Sequence, residues 1–149
     1  MTHQEKMILS SLFSTCIVFA IYASYMMPLQ SSGRFLQPDG TMFIGRSVLI
    51  LIGVSIVASI AVSILFSILH AIVTNTPKPD FTTDERDRMI ELRGMQVFGI
   101  VAGIGFVGSM IIMASGGTMF WVIHVIIFGF AIGDVIANIA RLSFYRRGY

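Results

Sequence analysis

The sequence predicts an all-α fold: an integral membrane bundle of four antiparallel transmembrane helices, with helix 3 extended into the cytoplasm. Three observations predict it. The 149 residues are 55% apolar and only 12% charged, about half the charged share of a typical soluble domain. The charges are segregated: the stretches 7–27, 47–69, 95–115 and 119–140 hold a single charged residue, Asp134. Each stretch reaches the ~20 residues that an apolar helix needs to cross the hydrocarbon core. The basic residues are also partitioned. Lys6, Lys78, Arg86, Arg88, Arg93, Arg141, Arg146 and Arg147 fall on the side that four spans assign to both termini, and only Arg34 and Arg46 fall on the other. Cytoplasmic loops carry the excess of Lys and Arg, so the termini are expected in the cytoplasm. This composition excludes an ordinary cytosolic enzyme, a disordered regulator and a secreted disulfide scaffold.

The first span, about 7–27, is too long for a signal-peptide core and is expected to be a retained helix. It contains the only cysteine, Cys16, so no intrachain disulfide can form. An outer loop, 28–41, follows. Pro28, Gly33, Pro38 and Gly40 punctuate it and predict turns. The second span, about 42–73, begins near Thr41 or Met42, and Asn75, Pro77 and Pro79 stop it. Arg46, at its outer start, reads as an interfacial anchor. Trp121, Tyr22 and Tyr25 fall near the outer interface, and Tyr145 and Tyr149 near the inner one, as amphipathic rings prefer.

The cytoplasmic loop, 74–94, ends in the most distinctive segment, Thr82 to Arg93. Thr82 and Glu85 have capping-box spacing, and Asp84 and Arg88 are one helical turn apart. Acidic residues crowd the expected N-terminus, where the helix dipole favours them. The segment predicts a helix that starts near Thr83 and runs unbroken into the third span, about 95–115. Asp84, Glu85, Arg86, Asp87 and Arg88 then form either a solvated extension that fixes the insertion boundary or a docking surface for a cytosolic partner. The run Asp84–Ile90 followed by an apolar helix resembles a motif of small four-span prokaryotic membrane proteins of unknown function. That resemblance covers about a dozen residues and the span layout. It implies a prokaryotic inner-membrane protein and implies no activity, cofactor or catalytic residue.

Ser115-Gly116-Gly117-Thr118 joins the third span to the fourth, about 119–140, in a turn short enough to force a hairpin. The fourth span carries the chain's intramembrane charge. An ionisable group in lipid is costly and marks a functional candidate. Asp134, Asn138 and Arg141 share one helical face, with His124 nearby on the same arc. Asp134 reads either as a proton- or cation-binding carboxylate or as a structural group, hydrogen-bonded to neighbouring helices or offset by Arg141 one helical repeat away. His124 and His70 are the remaining candidates for this intramembrane polar site. They fall at opposite depths of their helices, which argues against one shared metal or haem site.

Small residues at four-residue spacing mark packing stripes: Ser55, Ser59, Ser63 and Ser67; Gly99 and Gly103; Gly129 and Gly133. Such stripes let helices approach where lipid gives no hydrophobic drive to associate. The serine hydroxyls could instead line a polar path or bond back to their own helix. No phosphate loop, metal cluster or nucleophile elbow stands in the sequence, so no enzyme, cofactor or metal is expected. Membrane lipid is the expected partner, together with a homodimer or another membrane protein, and nucleic acid is not. The function expected is a non-enzymatic accessory or interaction subunit. The alternative is a small proton-coupled transporter that works as a homo-oligomer around Asp134.

Overall fold

The computed structural model describes residues 3–74 and 85–147, and within them the fold is all-α. Helix α1 spans His3–Ser31, α2 Gly40–Thr74, α3 Glu85–Ala114 and α4 Met119–Arg147, with a single 3₁₀ turn at Arg34–Leu36. Four segments are long and apolar enough to cross a membrane: Met7–Ser31, Gly40–Leu69, Glu85–Ala114 and Met119–Arg146. At about 1.5 Å per residue, even the shortest helix outruns a ~30 Å hydrocarbon core.

Two helices run past the ends that the sequence predicts. Helix α1 continues through Pro28 to Ser31, so the outer connection is shorter than 28–41. A proline in the last turn forfeits one backbone donor, and its own carbonyl is still used, accepting from Ser32 N at 3.0 Å and Ser31 Oγ at 2.9 Å. Helix α4 runs on past residue 140 to Arg147, where α3 supplies partners for its polar side chains. The capping residues Thr82 and Thr83, and Asp84 with them, lie outside the described residues. From Glu85 onward α3 is unbroken.

The α3–α4 turn closes as a Schellman motif. Gly116 takes φ 78°, its N–H donates to Met113 O at 3.2 Å, and Gly117 N donates to Ile112 O at 2.9 Å. At the same end of the molecule, Arg34 clasps Asp39 through two hydrogen bonds of 2.8 and 2.7 Å and lies 4.9 Å over the Phe43 ring. The hydrogen bond from Arg34 holds the Asp39 carboxyl below its ordinary value.

Helix α4 is the shared element. Helix α3 packs along it closely, α1 packs on it from another side, and α2 packs on α1 and touches α4 only weakly. The apolar core sits where α1, α2 and α4 meet the 3₁₀ turn: Tyr22, Met26, Ile44, Leu51 and Phe120 are buried there, and Phe35 stacks on Phe120 at 4.8 Å. The α3–α4 contact is made by glycines. A Cβ on Gly105 would lie 2.9 Å from Gly129 Cα, and one on Gly133 would lie 3.2 Å from the Phe98 ring. Of the stripe glycines, Gly129 and Gly133 thus lie against α3, and the Cβ positions of Gly99 and Gly103 meet open space among the described residues. Four-residue spacing alone does not distinguish the face of α3 that meets α4 from the one beside it.

Candidate functional site

Polar side chains on α4 face α1 and α3. Asp134 is half-buried and its carboxylate accepts two hydrogen bonds, from Thr15 Oγ1 on α1 at 2.9 Å and from Asn138 Nδ2 at 3.2 Å. Arg141 does not touch Asp134. Its Nη1 donates to Asn138 Oδ1 at 2.8 Å, and its Nη2 pairs with Glu91 on α3 at 2.7 Å. Arg141 reaches Asp134 only through Asn138, and the neighbouring helix α1 supplies Asp134 with the Thr15 hydrogen bond. The Arg141 stem crosses Gly94, where a Cβ would collide with it, and its buried Nε has no hydrogen-bond partner. Among the described residues, Asp134 has no cation within ion-pair distance. It is an acid held only by neutral donors.

His124 is fully buried and belongs to a separate cluster. Its Nδ1 lies 2.7 Å from Phe120 O, and its Nε2 3.0 Å from Tyr22 Oη. A carbonyl can only accept, so Nδ1 carries the proton, and the neutral ring accepts the Tyr22 hydroxyl at Nε2. The ring also stacks on Phe120, with centroids 3.9 Å apart. With both nitrogens engaged, His124 holds α1 to α4. Tyr22 is thus buried on His124, while Tyr25 and Trp121 remain exposed. Phe19 and Phe128, with ring centroids 6.2 Å apart, bridge the same two helices between this cluster and Asp134. His70 is helical, and its side chain lies outside the described residues. Among the described residues, no three His, Cys, Asp or Glu side chains are grouped to hold a metal ion.

Two concavities meet beside Asp134. A crevice of about 370 Å³ separates α1 from α2. Ser10, Ser11, Ser14 and Thr15 line one wall, and Ser55, Ser59, Ser63 and Ser67 the other. The serine stripe of α2 therefore borders an opening and not a tight helix contact. Ser59 and Ser67 also bond back to Ile56 O and Ser63 O, both at 2.9 Å. A second groove of about 570 Å³ runs between α2 and α4 over α1. Its lining is apolar except for Thr15, Ser55 and Asp134. Thr15, Phe19 and Ser55 border both spaces.

The charged start of α3 is partly committed within the chain. Asp87 accepts the Tyr145 hydroxyl at 3.0 Å, and Arg86 donates to Tyr145 O at 3.4 Å. Glu85 and Arg88 are exposed on this start. Sequence reasoning missed Thr15. Its one available signal was a hydroxyl pair, Ser14-Thr15, inside an apolar span.

These features define a class: among the described residues, an all-α protein of four helices, each long and apolar enough to cross a membrane, with Asp134 the one charged residue of the apolar stretches 7–27, 47–69, 95–115 and 119–140. No protein-family model, curated protein or solved structure matches the chain.

Proposed function

We propose that the protein is a small, non-enzymatic, proton-coupled transporter of the prokaryotic inner membrane, with Asp134 as the group that loads and releases the proton. Its four helices cross antiparallel. Both termini and the charged start of α3 lie in the cytoplasm, where eight of the ten basic residues then fall. Contact pairs that run in opposite order along the chain support this arrangement: Thr15 with Asp134 and Tyr22 with His124, then Asp87 with Tyr145 and Gly105 with Gly129.

The observation that carries the reading is the placement of the chain's one intramembrane acid. The carboxylate has no cationic partner and ends an apolar groove. A crevice walled by eight hydroxyl side chains leads to its donor, Thr15. Ionisable groups inside spans face cavities and mark ion pathways, because lipid would penalise them elsewhere. On this topology the crevice opens toward the cytoplasm.

The test is proton movement in proteoliposomes with an entrapped pH dye and a clamped membrane voltage. After an imposed pH step, the wild-type chain is expected to relax the gradient faster than Asp134→Asn reconstituted at equal density. Equal rates overturn the reading. An accessory or oligomeric role is the second reading. The open face at Gly99 and Gly103 favours it, because a Cβ at either glycine would meet nothing within 4 Å among the described residues.

A further inference from the structure

We propose that the groove between α2 and α4 binds a lipophilic organic cation, with the charged head on Asp134 and the apolar body along the groove. The inference rests on the reading of Asp134 as the loading group and names the class of molecule that shares the carboxylate with the proton. Three features of the groove select this class.

Size comes first. A space of about 570 Å³ falls in the range that takes a compact drug-sized molecule. Polarity comes second. Leu51, Ile52, Ile127 and Phe130 wall the groove, so the body of an occupant must be apolar and aromatic or aliphatic. Charge comes third. The groove's one ionisable group is an acid, and both of its present partners are neutral hydrogen-bond donors. A carboxylate on an apolar wall attracts a cation strongly, because little solvent is there to screen it. A lipophilic anion would be repelled, and a neutral lipophile could gain at most a hydrogen bond to Asp134, as Thr15 and Asn138 do.

Other titratable or charged groups on the surrounding helices do not compete for this place. Arg141 is taken up by Asn138 and Glu91, and His124 by Tyr22 and the Phe120 carbonyl. Helix α1 offers Cys16, exposed beside Thr15, and α2 carries no charged or titratable residue between Arg46 and His70. Proton and organic cation therefore meet at the same oxygen atoms and exclude each other. Such exclusion is the minimal condition for exchanging one against the other.

The test is equilibrium binding of radiolabelled tetraphenylphosphonium to the detergent-purified full chain, with tetraphenylborate as a lipophilic anion of matched shape. Saturable binding of the cation is expected, weaker in acid as protons compete. It should fall at least ~10-fold in Asp134→Asn. Asparagine keeps the side-chain size and an oxygen for the Thr15 hydroxyl. Ile52→Trp, at an exposed position on the groove, should also weaken binding by filling the space without touching the core. Equal binding by Asp134→Asn, equal binding of the anion, or no saturable cation binding overturns the proposal. Asp134-dependent proton flux without cation binding would reject the ligand class alone. Asp134-dependent cation binding without proton flux would reject the coupling and keep the site.

Discussion

Replacing Gly105 with alanine should loosen the α3–α4 pair, and the same change at Gly103, two residues away, should not. The added methyl carbon at Gly105 would lie 2.9 Å from Gly129 Cα and 3.4 Å from Val125 O. Non-bonded carbons rest about 3.5–4.0 Å apart, so the helices must separate by roughly 0.6–1 Å at their closest point. The obstacle is backbone on a partner helix and cannot rotate away. Overpacking of this kind costs about 1–3 kcal/mol. Alanine is the better helix former by ~1 kcal/mol at either position, and that gain cancels when the two variants are compared. Gly105→Ala should therefore be about 1–3 kcal/mol less stable than Gly103→Ala. Reversible unfolding in mixed micelles, followed through the single tryptophan Trp121 on α4, measures the difference. Equal stability, or Gly103→Ala as the weaker protein, would refute the assignment of the glycine contact.

Two further outcomes follow from the clusters at the ends of the core. Tyr22→Phe keeps the ring beside His124 and removes the donor to Nε2, so it should cost about 0.6–1.7 kcal/mol in the same unfolding assay, the range of hydrogen bonds between helices in a bilayer. Tyr25→Phe, on an exposed side chain, should cost nothing measurable, and equal effects would contradict the assignment. The Arg34–Asp39 clasp should persist from neutral pH down through the ordinary carboxylate value of 3.8, because the hydrogen bond from Arg34 lowers the Asp39 value in the folded chain. Its contribution is complete above the unfolded value and is lost as pH falls through the lower, folded one. Hydrogen-exchange protection of the 33–40 connection should drop only in strong acid; a drop between neutral pH and about 5 would argue against the clasp.

The four helices were legible because burial in lipid writes itself into composition. An apolar run with no charge has few other readings, and a long unbroken α3 follows from its acidic start. What depended on two helices at once was not legible. Periodicity marks Gly99 and Gly103 as readily as Gly105, and only the partner surface of α4 decides which glycine is used. The last two turns of α4 look like an interfacial tail until Glu91 and Asp87 are seen to hold Arg141 and Tyr145. Pro28 reads as a helix breaker, although in a final turn it forfeits only one bond. The site was half visible. Asp134, Asn138 and Arg141 share a face by arithmetic, but Thr15 as donor, and a serine stripe that borders a crevice, depend on how α1 and α2 diverge.

Water access along the serine crevice tests the transport account most directly. In a Cys16→Ala background, single cysteines at Ser63, on the crevice wall, and at neighbouring Ile64, an exposed apolar position, can be treated with a membrane-impermeant thiol reagent in inside-out vesicles. Ser63→Cys should react from the cytoplasmic face, and Ile64→Cys should stay unmodified. Equal protection of both, or reaction at Ile64→Cys alone, would leave Asp134 without an aqueous route and contradict the account.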